Sequence, residues 1–236
     1  MPANNRGIAL IVTLLAIGLF SALGLGLALA SSSARLADHN HEEAVRLLNA
    51  AEAALELASR DLAGITDWNL VLDGSARSVF VDGTAGGMRT IAAGGSLDLS
   101  RLTNQLTCGR DTLCSDAQRA TSTSERPWGS GNPRWRLFLH SPLTAVQSPR
   151  DREIPYTIVW LGDDARETDG DPGGDGGGPG DEGRYVLRAR AEAFGADGAR
   201  RAIEAELVRV CWPVESGEFC LPGTRVESWR VATPVS

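Results

Sequence analysis

Residues 8–30 read IALIVTLLAIGLFSALGLGLALA, and residues 34–64 continue as ARLADHNHEEAVRLLNAAEAALELASRDLAG. The first segment has 23 residues and no charge, so as an α-helix it is long enough to cross a hydrocarbon layer of about 30 Å. The second segment contains no Pro or Gly before Gly64 and is rich in helix-forming residues. We therefore predict a single helix of roughly 55 residues, about 80 Å long.

Small and apolar residues recur through the second segment at intervals of three, four and seven. This spacing places them on one face of a helix. The stripe consists of Ala44, Leu47, Leu48, Ala51, Ala54, Leu55, Ala58 and Leu62. It predicts that the second half of the helix packs against a globular domain.

The charges flanking the apolar segment predict how the chain is oriented in a membrane. Arg6 lies on the short N-terminal side, and the bulk of the chain follows the segment. The positive-inside rule then places the N-terminus in the cytoplasm and the body outside the inner membrane. A single-pass anchor with a periplasmic body is the resulting expectation.

The four cysteines are consistent with that oxidising compartment. Their spacings, C-x5-C and C-x8-C, match neither a zinc ribbon nor a thioredoxin motif. Their even number and local pairing fit two disulfide bonds, Cys108–Cys114 and Cys211–Cys220.

The charge of the chain is concentrated in one loop. All 23 basic residues are Arg, and residues 163–183 contain eight acids against Arg166 alone. The remainder of the chain is neutral, so no basic surface for nucleic acid is expected.

The body is predicted to be β-rich, which makes the chain an α+β protein. Residues 64–133 are interpreted as turns and short strands, including 68–81 and 90–106. Alternating apolar residues predict three or four antiparallel strands that lie against the helix. These strands are 135–139, 156–161, 185–193 and 202–210, with a turn at 196–198 between the last two.

The N-terminal pattern resembles that of a known family. A short polar leader ending in Arg6-Gly7, followed at once by an apolar helix that becomes amphipathic, is typical of type IV prepilins. Within that class, the AAEAAL segment at residues 50–55 is similar to the N-terminal region of PilX-type minor pilins. The hairpin at 185–207 resembles their C-terminal hairpin more loosely.

The resemblance implies a type IV pilin-like fold and a processing step. A prepilin peptidase would cut between Gly7 and Ile8 and methylate the new N-terminus of Ile8. The implied segments are a leader (1–7), a transmembrane and filament-core helix (8–30), its amphipathic continuation (31–63) and a β-rich domain (64–236) that contains the acidic loop 163–183.

The resemblance also implies a function in filament assembly. The subunit would wait in the inner membrane, meet the pilus assembly platform, and join the major pilin and other minor pilins in an extracellular pilus. It would help to initiate the fibre near the tip, contact a tip adhesin, and modulate adhesion or DNA uptake. No enzymatic activity and no cofactor are expected.

One position departs from the pattern of major pilins, which carry Glu at the fifth residue of the mature chain. Here that position is Val12. An unpaired N-terminal ammonium is costly in an apolar fibre core, so a subunit without this Glu suits the filament tip.

Three alternatives remain open from the sequence. The tip-type minor pseudopilin of a type II secretion system shares the absence of Glu at the fifth position. A singly anchored periplasmic binding or enzymatic domain would keep its leader uncut. A secretory signal peptide would be cleaved after Ala28-Leu29-Ala30.

Two clusters contain residue types that can bind metal ions. Asp169, Asp171 and Asp175 alternate as in a calcium loop, but Gly173 and Gly180 replace ligands that such a loop needs. We therefore expect a flexible, solvated loop between two strands rather than a specific Ca²⁺ site. The second cluster is His39 and His41, whose spacing of two residues places them on different faces of a helix, which disfavours a zinc pair.

Overall fold

The computed structural model describes residues 6–91, 94–143, 154–164, 171–176, 185–215 and 217–235. The chain forms two compact units, Met1–Glu43 and Ala44–Ser236. The first contains the N-terminal part of helix α1, and the second contains the rest of α1 and every other described element. The helices are α1 (Arg6–Ala63), α2 (Asn69–Leu72), α3 (Leu99–Cys108) and α4 (Asp116–Arg119). The strands are β1 (Met88–Thr90), β2 (Ser96–Asp98), β3 (Arg136–Pro142), β4 (Tyr156–Asp163), β5 (Val186–Phe194), β6 (Arg200–Val208), β7 (Cys211–Val214), β8 (Gly217–Cys220) and β9 (Arg225–Ala232).

Helix α1 confirms the predicted N-terminal helix and extends it to 58 residues. Its most apolar 18-residue window has a mean hydropathy of 2.4, and none of that window is buried. By length and composition this is a helix able to cross a membrane. Its exposure sets it apart from the core helix of a globular protein, which would be buried.

The main sheet has five antiparallel strands in the order β3-β4-β5-β6-β9. This confirms the predicted α+β class and the four expected strands, although the sheet has one strand more than predicted. Strand β9 was missed because its pairing with β6 is irregular between Glu206 and Leu207. The irregularity breaks the two-residue alternation, so Val226 and Trp229 share a face while three residues apart.

The small-residue stripe of α1 packs on one face of this sheet. Ala51, Ala54 and Ala58 are fully buried there and belong to one core cluster with the alternate residues of β5. Those β5 residues are Leu187, Ala189, Ala191 and Ala193. The stripe predicted from the sequence is therefore the buried face of this part of α1.

The opposite face of the sheet is also covered, partly by helix α3. The interpretation of residues 90–106 as turns and short strands was wrong from Leu99 to Leu106, which belong to this helix. Asp98 begins this helix by accepting hydrogen bonds from the N–H groups of Ser100 (3.0 Å) and Arg101 (3.1 Å). Gly109 ends it in the left-handed conformation, with φ 70°.

Helix α3 is joined to the sheet by a buried side-chain contact. The indole Nε1 of Trp160 in β4 donates a 2.9 Å hydrogen bond to the Thr103 hydroxyl. Strand β4 is buried along its whole length because both faces of the sheet are covered.

We predict that the contact between α1 and the sheet tolerates no added volume. Replacing fully buried Ala54 with Leu should lower the free energy of unfolding of the globular unit by about 1–3 kcal/mol, because the added atoms would displace the side chains packed around this position. Chemical denaturation of the full chain in detergent would measure this. The matched control is Ala53→Leu at the neighbouring, partly exposed position. An equal loss in both variants would contradict the account.

Candidate assembly and binding sites

The N-terminal part of α1 presents an apolar surface. Gly7 and Ile8, the predicted processing residues, lie in the helix, and Val12 is 58% exposed. The exposed large apolar residues here are Leu10, Ile11, Val12, Leu14, Leu15, Ile17, Leu19, Phe20, Leu23, Leu25, Leu27 and Leu29. Such a surface needs lipid or neighbouring helices to cover it.

Three glycines in this segment have no packing role within the described chain. A Cβ atom built at Gly18, Gly24 or Gly26 would meet no atom within 4 Å. Any close approach that they permit is therefore an approach of another molecule. Small residues serve this purpose between membrane helices.

The structure contains the two disulfide bonds proposed from the cysteine spacing. Cys108–Cys114 joins the last residue of α3 to the loop before α4. Cys211–Cys220 joins two directly opposite residues of the β7–β8 hairpin. Strands β7 and β8, which contain these two cysteines, form a two-stranded antiparallel ribbon.

This ribbon has two different faces. Trp212 and Phe219 lie opposite each other, with ring centroids 5.1 Å apart, and are 42% and 49% exposed. Glu218, on a neighbouring position of the ribbon, accepts a 2.8 Å hydrogen bond from the Tyr185 hydroxyl. The ribbon is thus tied to the body and presents an exposed aromatic pair. This pair was not predicted from the sequence. The signal for it is that each aromatic residue directly adjoins one of the two disulfide-bonded cysteines.

A groove of about 1070 Å³ lies on the sheet face opposite α1. One wall holds the guanidinium of Arg188, whose Cζ is 4.7 Å from the Trp128 ring centroid and 5.9 Å from that of Trp135. Arg188 also donates a 3.3 Å hydrogen bond to Glu204. Cation–π stacking and ion pairing together fix this guanidinium.

Glu204 is the centre of the charges in the groove. It accepts hydrogen bonds from Arg190 (2.8 Å) and Arg230 (2.7 Å) as well as from Arg188. Burial alone would raise the pKa of Glu204, but the hydrogen bond from Arg230 and the charges of Arg190 and Arg188 outweigh it. The pKa therefore lies below its ordinary value, and one carboxylate accepts hydrogen bonds from three guanidinium groups.

Glu192, two residues along β5 from Arg190, is fully buried. Burial raises its pKa to about 7, opposed by Arg190, by the hydrogen bond from the Val235 N–H and by Arg200. Glu192 Oε2 accepts that 3.2 Å hydrogen bond, while Arg200 donates to the Val235 carbonyl. These contacts hold the C-terminal residues against the sheet.

The acidic loop was predicted to be solvated, but most of its described part is buried or partly buried. Asp163, Asp164 and Asp175 are buried, and Asp175 Oδ1 accepts a 2.7 Å hydrogen bond from the Tyr185 N–H. The Asp175 N–H donates to the Asn69 side chain at 2.8 Å. Residues 171–176 thus pack on the body because their polar groups find partners there.

Two of the three weak candidates for calcium ligands, Asp171 and Asp175, lie within the described residues, and each accepts a backbone hydrogen bond. Asp169 lies outside the described residues, and Asp171 accepts a 3.1 Å hydrogen bond from the Gly173 N–H in a local turn. Among the described residues, no group of three or more His, Cys, Asp or Glu side chains could hold a metal ion.

The three histidines occupy two kinds of environment. His39 and His41 are exposed on α1. His140 is fully buried in β3, and burial, followed by the charge of Arg89, lowers its pKa to about 4 against the opposing effect of Asp82. His140 is therefore a neutral core residue at physiological pH.

No protein family model, curated protein or solved structure matches this chain.

We predict that Glu192 makes the globular unit less stable as the pH rises. Its folded pKa is raised, so its stabilising contribution is complete below the unfolded pKa near 4.5 and is lost as the pH rises through about 7. The difference in unfolding free energy between wild type and Glu192→Gln should fall by about 2–3 kcal/mol from pH 4.5 to pH 8. Denaturation of the full chain across this range would measure it.

The matched control is Glu52→Gln on the exposed side of α1, which should leave the pH dependence of the wild type intact. A Glu192→Gln curve parallel to the wild-type curve would contradict the assignment.

Proposed function

We propose that this chain is a minor pilin of the PilX type, which helps to initiate and assemble a type IV pilus near its tip. One observation supports the proposal above all others. A single helix begins at Arg6, exposes an apolar surface over its first half, and packs a small-residue stripe on an antiparallel sheet over its second half. A subunit of this layout can exchange lipid for the helices of neighbouring subunits, because both surround the same apolar surface.

Val12 supports a position of this subunit at the tip of the filament. A subunit without a carboxylate there cannot neutralise the N-terminal ammonium of the next subunit, so it is best placed where no further subunit needs it. The same feature favours a second candidate, the tip-type pseudopilin of a type II secretion system. Contacts with a tip adhesin and effects on adhesion or DNA uptake would involve the exposed globular unit.

We predict that the mature chain begins at N-methylated Ile8. Coexpression of the full chain with a prepilin peptidase, followed by mass spectrometry of the purified protein, should show loss of residues 1–7 and one added methyl group. Gly7→Val should block this processing, because the resemblance implies cleavage after a small residue. The control Gly18→Ala changes a glycine within the apolar segment and should be processed normally.

The alternatives give different N-termini. A chain that keeps Met1 would be an uncut anchor, and a chain that begins near Ser31 would be a secreted domain; either result would refute the pilin. Deletion in the host separates the two filament systems. Loss of surface pili would support the minor pilin, whereas loss of protein secretion with pili intact would support the pseudopilin.

A further inference from the structure

Tyr185, the residue directly before β5, has an unusual backbone conformation. Among the described residues other than glycine, it alone has a positive φ, of 63°. Residues with a Cβ atom rarely occupy this left-handed region, and bulky ones least of all. Such a residue stays there only when its surroundings hold it in place. The contacts of Tyr185 are therefore the ones that maintain this conformation.

Both backbone groups of Tyr185 are held by other parts of the chain. Its N–H donates a 2.7 Å hydrogen bond to Oδ1 of Asp175, in the turn 171–176 of the acidic loop. Its carbonyl accepts a 2.9 Å hydrogen bond from the N–H of Arg209, which follows β6. Asp175 is itself buried, and its N–H donates to the side chain of Asn69 at the start of α2. The turn is thus anchored to the body and holds Tyr185.

The ring of Tyr185 is fixed as well. It stands edge-on to fully buried Trp68, with ring centroids 6.1 Å apart. The Arg209 Cζ lies 5.7 Å from the Tyr185 centroid and 4.7 Å from that of Trp68. This guanidinium also donates to backbone carbonyls around the C-terminal end of α1, those of Leu62, Ile65 and Thr66. The position of the ring is therefore tied to the end of the long helix.

The hydroxyl of Tyr185 reaches the ribbon formed by β7 and β8. It donates a 2.8 Å hydrogen bond to Oε2 of Glu218, which precedes Phe219 of the exposed aromatic pair. One residue thus touches the acidic loop with its N–H and the ribbon with its hydroxyl. Because φ sets the direction of the Cα–Cβ bond, a change of φ at Tyr185 would carry the hydroxyl away from Glu218.

We propose that Tyr185 couples the turn 171–176 to the β7–β8 ribbon. While Asp175 accepts its N–H, Tyr185 stays in the left-handed conformation and its hydroxyl holds Glu218. When Asp175 is withdrawn, Tyr185 relaxes to a negative φ, the hydrogen bond to Glu218 breaks, and the ribbon loosens with its aromatic pair. A molecule that engages Asp175 therefore alters how Trp212 and Phe219 are presented.

The test compares amide hydrogen exchange, measured by NMR, in the full chain in detergent and in its Asp175→Ala variant. A two-stranded hairpin is marginally stable by itself, so exchange at Cys211–Val214 and Gly217–Cys220 reports how firmly the ribbon is attached. Loss of the acceptor should speed this exchange roughly threefold to tenfold. The matched control is Asp98→Ala, which removes the cap of α3 and should leave ribbon exchange unchanged.

A double variant tests whether the effect passes through the Tyr185 hydroxyl. Tyr185→Phe keeps the ring and removes only the hydrogen bond to Glu218, so it should speed ribbon exchange by itself. Adding Asp175→Ala to it should then speed exchange little further, because the link is already cut. Two residues that act on the ribbon independently would instead multiply their effects.

Coupling must also act in the reverse direction. Glu218→Ala changes a partly exposed residue of the ribbon and should speed exchange of the Tyr185 amide, which bonds to Asp175, roughly threefold or more. This variant leaves the buried turn intact, so it tests the coupling even if Asp175→Ala does not fold.

Four outcomes would overturn the proposal. They are unchanged ribbon exchange in Asp175→Ala, an equal increase throughout the globular unit, independent effects in the double variant, and an unchanged Tyr185 amide in Glu218→Ala. None of them depends on cleavage at Gly7, so this proposal and the pilin proposal fail separately.

Discussion

The buried small-residue stripe of α1, which shares one core cluster with alternate residues of β5, is the constraint on which the rest of the structure depends. Ala51, Ala54 and Ala58 are fully buried in this cluster together with Ala189 and Ala191. This shared core holds the part of α1 from Leu47 to Leu62 on the sheet. The large apolar residues of α1 between Leu10 and Leu29 are exposed.

The sequence predicted the buried faces of α1 and β5 clearly, because each element has its own periodicity of small and apolar residues. The stripe on α1 repeats every three to four residues, and β5 alternates every two, so each predicts one buried face. The apolar segment 8–30 was equally clear because 23 uncharged residues have few other uses in a protein. These signals are local, and they identified the fold class without any knowledge of long-range pairing.

The elements that the sequence did not reveal depend on distant partners. Helix α3 begins with a side-chain cap at Asp98 and has a short apolar face, which is a weak signal over ten residues. Strand β9 is defined by pairing with β6, and the irregularity near Leu207 removes its alternation. Likewise, the backbone N–H of buried Asp175 bonds to Asn69, which is 106 residues away in the sequence.

The candidate sites divide in the same way. Processing at Gly7 is expected from a contiguous pattern, so sequence alone could suggest it. The Trp212–Phe219 pair arises only when β7 pairs with β8. The three arginines surround Glu204 only when β5 and β9 pair with the two sides of β6. Chemistry that is assembled across strands becomes visible once register is known, and register is what a single sequence specifies least.

The exposed surfaces share one physical feature that stability of the chain alone does not explain. Three surfaces leave large apolar side chains exposed to water. They are the N-terminal part of α1, the Trp212–Phe219 pair of the ribbon, and Val226, Trp229 and Val231 of β9. Each belongs to regular secondary structure: a helix, a disulfide-linked ribbon and a sheet edge. Apolar surface held in a regular element needs less ordering when a partner covers it than the same surface on an unstructured segment would need.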